Sequence, residues 1–223
     1  MANFGFSHLT VAAPYAPHWR EARSAIGAPE LLVHATETRS LAEAVARCTF
    51  VAGTGTLTYR KPEQPIVSLP SLGAIIEREL AGDGRVALVF GSEKHGLTRE
   101  DLSRCHILVE IPTDVHQPSM NLGQAVAVCL YEVASRSPAT GQTPMDALSR
   151  APSESLDRLT DLIEQTMTAA GYSPRSMQAA NRHDLRLLLR RLALSASDSR
   201  RILGLFRRIL WRLHHGSESQ TKP

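Results

Sequence analysis

The sequence predicts an α/β domain with a mostly parallel sheet, followed by a small helical unit. Three observations predict it. Short β-branched runs alternate with helical patterns through residue 137. Residues 138–152 then shift to Ser, Pro, Thr and Gly, the composition of a linker. After them, over 153–215, only helical periodicity remains, and 216–223 form a polar tail expected to be disordered.

The expected strands are 9–12, 32–35, 50–52, 66–68, 86–90 and 107–111, short continuous apolar runs of the kind a sheet covered on both faces requires. Between them, 19–26, 41–48, 72–80 and 99–105 carry helical spacing. Residues 121–134 read as one long helix, because Leu122, Ala125, Val126, Cys129, Leu130 and Val133 fall on one stripe. In the second unit, 155–170 form a helix closed by Gly171, a suitable C-terminal cap. A second helix covers 183–193. A third covers 198–214, with Ile202, Leu203, Phe206, Ile209, Leu210 and Leu213 on its buried side and Arg200, Arg201, Arg207, Arg208 and Arg212 largely on the other. There is no internal repeat.

Hydrophobic residues make up 43% and charged residues 21%, ordinary for a soluble globular protein, and no apolar run is long enough to span a membrane. The three cysteines, Cys48, Cys105 and Cys129, are widely spaced in apolar contexts, which fits reduced core thiols of a cytoplasmic protein. The net charge of +3 is uneven: residues 1–150 carry −2 and residues 151–223 carry +5, mostly arginine. An arginine-rich surface suits a polyanion, because guanidinium pairs with phosphate in a fork geometry; a solvated helix face is the plainer alternative.

Three stretches put Gly, Ser, Thr and Asn where strands end: Gly53-Thr54-Gly55-Thr56, Gly91-Ser92-Glu93-Lys94-His95-Gly96-Leu97, and Ile111-Pro112-Thr113 with Gln117-Pro118-Ser119-Met120-Asn121-Leu122. In open α/β sheets, ligands bind beyond the carboxyl ends of the strands, so three such loops predict one shared pocket. Two nucleotide fingerprints fail. Thr58 stands where a dinucleotide motif needs its third glycine, and Leu97-Thr98 replaces the Lys-Ser/Thr of a phosphate loop. The histidines lack ligand spacing, so no metal is expected. Ser92 and Ser119 lie outside any G-x-S-x-G elbow, and Ser119 and Asn121 are also placed to cap the helix that follows.

At these residues the chain resembles a known family. Val86-Ala87-Leu88-Val89-Phe90-Gly91-Ser92-Glu93-Lys94-His95-Gly96-Leu97 is similar to the second motif of the knotted SPOUT methyltransferases. Ile107-Leu108-Val109-Glu110-Ile111-Pro112-Thr113, with Ser119-Met120-Asn121-Leu122-Gly123-Gln124-Ala125-Val126, is similar to their third. The resemblance runs through the final helical unit and is closest to the TrmJ-type tRNA 2′-O-methyltransferases that act on cytidine or uridine 32 of the anticodon loop.

The resemblance implies a deep trefoil knot, a homodimer, S-adenosyl-L-methionine as methyl donor and tRNA as substrate. Carried over position by position, Thr54, Gly55, Thr56, Gly91, Ile111, Pro118, Ser119 and Met120 would hold the cofactor. Glu93, Ser119 and Asn121 would face the reacting centre, and the five arginines of the last helix would bind RNA. The family's first motif, N-x-G-x-x-x-R, belongs ahead of the segment matching residues 1–6. The arginine credited with activating the ribose hydroxyl is therefore expected to be missing from this sequence, and residues 1–137 to form an N-terminally truncated, knotted methyltransferase domain. The alternatives are a catalytically impaired, knotted RNA-binding protein and a ribosomal RNA 2′-O-methyltransferase of the same class.

Overall fold

The computed structural model describes residues 1–14, 19–21, 27–55, 62–135, 150–172 and 174–215. Its elements, in chain order, are β1 (Thr10–Ala12), α1 (Pro29–Val33), β2 (Thr36–Thr38), α2 (Leu41–Val45), β3 (Phe50–Thr54), β4 (Ile66–Ser68), α3 (Leu72–Leu80), β5 (Val86–Val89), α4 (Arg99–Leu102), β6 (Ile107–Glu110) and α5 (Leu122–Ser135). The helices α6 (Ser153–Ala169), α7 (Gln178–Arg191) and α8 (Ala196–His215) follow.

Four strands form a fully parallel sheet in the order β4-β6-β3-β5, and β1 and β2 form a separate parallel pair. The period of two in each central strand sorts its side chains between two layers. Phe50, Ala52, Ile107 and Val109 pack with Leu72 and Ile76 of α3 and Cys129 of α5. Val51, Leu108 and Val89 point the other way, onto Val45 of α2, Leu97 and Cys105. Both faces are therefore covered, as continuous apolar strands require.

Two expected elements differ in kind. Residues 32–35 were expected as a strand; instead α1 occupies Pro29–Val33 and the strand is β2, three residues on. Pro29 sits in the first helical turn, where its missing N–H costs nothing, and so starts a helix over the apolar run. Thr36 and Thr38, β-branched and more polar, pair with β1 instead. Of the expected helix 19–26, Trp19–Glu21 form a 3-10 turn and 22–26 lie outside the described residues.

The three C-terminal helices share a core of Leu159, Ile163 and Leu189 with Ile202, Leu203 and Phe206 of α8 packed on it. The buried stripe expected on α8 ends early: Ile209 and Leu213 are exposed, because the helix runs on past the residues that pack it. The helical unit docks on α2 end to end. The Ser153 N–H donates to the Cys48 carbonyl (2.9 Å) and the Glu154 N–H to that of Ala46 (3.0 Å). Of the expected linker, 138–149 lie outside the described residues, whereas Arg150 is ion-paired with Glu79 at 2.7 Å and Ala151 is buried. The tail 216–223 also lies outside them.

Candidate active site

Because the main sheet is parallel throughout, the carboxyl ends of β3, β5 and β6 fall on one edge, and the three glycine- and serine-bearing loops leave from it. At the end of β3, the buried Thr54 hydroxyl donates to the Val89 carbonyl (3.0 Å) and ties β3 to β5. Gly55 follows, and a methyl group added there would meet nothing within 4 Å among the described residues. Thr56 lies outside the described residues.

The loop after β5 is closed on itself. Ser92 and Gly96 form a bridge in which the Gly96 N–H donates to the Ser92 carbonyl at 2.8 Å, with Gly96 at φ +65. A Cβ on Gly91 would fall 2.0 Å from the Gly96 carbonyl carbon and 2.2 Å from the Leu97 nitrogen, so residue 91 has no room for a side chain. Leu97 is buried against Val51, Val89 and Leu108 and anchors the loop beneath the sheet. Glu93 is left exposed at the loop's tip.

The third loop leads into α5. The Asn121 Oδ1 accepts the N–H groups of Gly123 (2.9 Å) and Gln124 (3.3 Å), capping the helix. Its Nδ2 donates to Glu93 Oε1 at 3.1 Å. Capping and site assembly thus coincide in one side chain, which joins the second loop to the third. Ile111 and Pro118 are half-buried, and Ser119 and Met120 are exposed, so the three loops border an open shelf. The expected serine at position 92 is engaged locally: its Oγ accepts the His95 N–H at 3.2 Å.

The strongly perturbed titratable groups are buried in the core and not exposed on this shelf. Burial pushes the Cys105 thiol up to about 12 and that of Cys129 up to about 11, which makes both poor nucleophiles. The His106 imidazole is lowered to about 3, first by burial and then by Arg190 and Arg150. Neutral, it accepts the Val51 N–H through Nδ1 at 3.1 Å, at the opposite end of β6. Among the described residues no cluster of His, Cys, Asp and Glu could hold a metal ion, and no helix is long and apolar enough to cross a membrane.

The arginines divide into two sets. Arg200, Arg201, Arg207, Arg208 and Arg212 are all exposed on α8. Part of the basic excess, however, is spent internally, which composition alone could not reveal. Arg190 has a side chain 1% exposed, and Asp157 pairs with it (3.1 Å) and with Arg104 (3.0 Å). Arg186 reaches Glu100 (2.7 Å) and Ser103 Oγ (3.0 Å), and Arg182 pairs with Asp161 and Glu164. The usable signal is the position of Arg186 and Arg190, four apart and interleaved with Leu185, Leu187 and Leu189, on a face that has to be buried.

Comparison with known proteins agrees with this geometry. The SpoU rRNA Methylase family matches residues 1–131. The tRNA (cytidine/uridine/adenosine-2′-O-)-methyltransferase TrmJ of Pseudomonas aeruginosa is 39% identical over 134 residues, which cover 60% of this chain and 52% of that protein. The chain thus spans about half the length of that relative. The tRNA (cytidine/uridine-2′-O-)-methyltransferase TrmJ of Yersinia pestis is 30% identical over 216 residues, 94% of this chain and 82% of that one. The crystal structure of TrmJ from Z. mobilis superposes with a TM-score of 0.80 at 26% identity, covering 94% of this chain and 89% of its own.

Proposed function

The chain belongs to the SpoU rRNA Methylase family and, within it, to the TrmJ-type SPOUT methyltransferases, and from that premise we propose that it methylates ribose 2′-hydroxyls of tRNA, at cytidine or uridine 32 of the anticodon loop. In this reading S-adenosyl-L-methionine is the methyl donor and the protein is a cytoplasmic homodimer with the knotted chain path of its class. The unit 1–137 holds the cofactor, and the unit 153–215 holds the RNA through the exposed arginines of α8. The observation that carries it is the Glu93–Asn121 hydrogen bond, which joins two glycine-bearing loops on the carboxyl edge of a parallel sheet.

The residues present fit such a cofactor. Among the described residues Gly55 faces open space, so a flat adenine can approach the main chain closely there, while Gly91 lets the second loop fold tightly on itself at the edge of the shelf. Ile111 and Met120 offer apolar contact, and the amides and carbonyls around Pro118 and Ser119 offer edge recognition. The bound cofactor supplies an electrophilic methyl group on sulfur. The protein's task is to place a weakly nucleophilic hydroxyl in line and to manage its proton. Asn121, held by the turn of α5 that it caps, fixes Glu93 through Oε1 and leaves Oε2 to accept that proton; the exposed Ser119 hydroxyl orients the ribose. No metal enters this scheme.

The test combines calorimetry with S-adenosylhomocysteine and transfer of labelled methyl groups to tRNA, followed by nucleoside analysis. Uptake of the product analogue together with 2′-O-methylcytidine or 2′-O-methyluridine at position 32 is expected. Absence of both uptake and transfer to any RNA would defeat the reading.

A further inference from the structure

Trp211, one of two tryptophans in the chain, is 56% exposed, although α8 has an apolar stripe that could have buried it. It does not belong to that stripe. At 3.6 residues per turn, Trp211 lies one turn beyond Arg207 and Arg208, two turns beyond Gly204 and three beyond Arg200, all on the face opposite Ile202, Phe206 and Leu213. A large indole in the middle of an arginine face lowers solubility and contributes nothing to the core, so packing does not account for it.

Two further features of the same face point to a ligand. The His215 ring stacks on Trp211 with centroids 4.7 Å apart and planes 19° from parallel, and its Nδ1–H donates to the Trp211 carbonyl at 2.8 Å. The indole is thereby backed on one side by a second ring. Gly204 stands in the interior of a 20-residue helix, where glycine costs about 1 kcal/mol relative to alanine. Among the described residues a Cβ there would meet nothing within 4 Å, so none of them demands a glycine. What it leaves is bare helix backbone, flanked by guanidinium groups and ending at an aromatic platform. That combination of a cationic track and an aromatic stacking surface suits single-stranded nucleic acid.

We propose that Trp211, backed by His215, is a stacking platform for an unpaired nucleobase of the RNA substrate, with the backbone leading to that base running past Gly204 between the arginines. The inference rests on the RNA-modifying reading given above and adds to it a contact for a base rather than a phosphate. Every base has a π-face, so the platform selects unpaired over paired nucleotides and not one base over another.

The experiment uses the full chain carrying Trp19→Phe, which leaves Trp211 as the sole tryptophan. Its emission is followed on titration with unfractionated tRNA, single-stranded oligoadenylate and a fully paired RNA duplex. Saturable quenching by tRNA and oligoadenylate but not by the duplex is expected. Trp211→Ala should weaken tRNA binding by about 5- to 100-fold, the worth of one stacked base, without changing the salt dependence, and Trp211→Phe should recover most of it. Arg208→Ala, in contrast, should lower the slope of log affinity against log salt by about one. Binding of tRNA with unchanged Trp211 emission and unchanged affinity of Trp211→Ala overturns the platform while leaving the methyltransferase reading intact. So does a Trp211→Ala variant that alters only the oligomeric state, since the indole would then be a contact between protein copies. Failure of the parent chain to bind tRNA at all would remove both.

Discussion

Replacement of Asp157 by alanine is the most informative single perturbation of this fold. Its carboxylate lies 3.0 Å from Arg104 and 3.1 Å from Arg190, with Arg186 at 4.0 Å, where α6, α7 and the segment after α4 meet. Burial pushes the Arg190 guanidinium down from its ordinary value, and Asp157 is the group that opposes this. In Asp157→Ala, Arg190 keeps the Arg104 carbonyl at 2.9 Å but loses its carboxylate partner. Its Nη1, already buried without a hydrogen-bond partner, has nothing to turn to. Arg104 and Arg186 retain Glu100, which is largely exposed. Stranding a buried charge costs about 3–5 kcal/mol, and the partial exposure of Asp157 favours the lower end. For a chain of this size that corresponds to a fall in Tm of roughly 6–20 °C. Urea denaturation followed by far-UV circular dichroism measures it. The double variant Asp157→Leu/Arg190→Met, which removes both charges, should recover most of the loss. A cost below about 1 kcal/mol for Asp157→Ala, or a double variant no better than the single one, would refute the reasoning that Asp157 holds the two units together by neutralising buried Arg190 beside Arg104.

Three other outcomes are expected. Gly91→Ala should lower both stability, by about 1–3 kcal/mol, and cofactor affinity, because its methyl group collides with the backbone at Gly96 and Leu97, whereas Gly55→Ala should lower affinity alone; thermal shift and calorimetry separate the two. Asn121→Ala should cost about 1 kcal/mol as a lost helix cap and reduce kcat at least tenfold, with Asn121→Asp restoring the cap but not the Glu93 contact, as paired denaturation and rate measurements would show. Because His106 is held neutral in the folded state, at about 3 against an ordinary 6.5, unfolding takes up a proton below pH 6.5. Its contribution to stability is thus complete above that value and declines by about 1.4 kcal/mol per pH unit as pH falls toward 3. His106→Asn, whose amide oxygen can replace Nδ1 as acceptor for the Val51 N–H, should flatten the pH dependence of the unfolding free energy relative to the parent between pH 7 and 5.

The parts of this fold that could be read directly were those in which one local signal suffices. The run Val86-Ala87-Leu88-Val89 forms the expected strand, and α3 follows its expected span because its apolar period is unbroken. The loops could be located because their glycines fall where strands end. Short elements were harder: five residues of α1 hold too little periodicity to compete with an apolar run that also looks like a strand, and Pro29 was the cue that separated them. Interactions across the chain were not legible. Nothing near Asn121 in sequence announces Glu93, twenty-eight residues earlier, and nothing near Arg190 announces Asp157. Trp211 was invisible for the opposite reason: an aromatic residue in a helix reads as core until the burial of its neighbours shows which face it shares.

The head-to-tail junction of α2 and α6 bears on where the C-terminal helices sit. The carbonyls of Ala46 and Cys48, just past the end of α2, receive the first two amides of α6, which begins about a hundred positions later, so orphan donors of α6 are satisfied there. Backbone hydrogen bonds and the ion pairs of Asp157 thus fix where α6 starts relative to the sheet domain. The arginine-bearing α8, packed on the core that α6 and α7 share, inherits that placement.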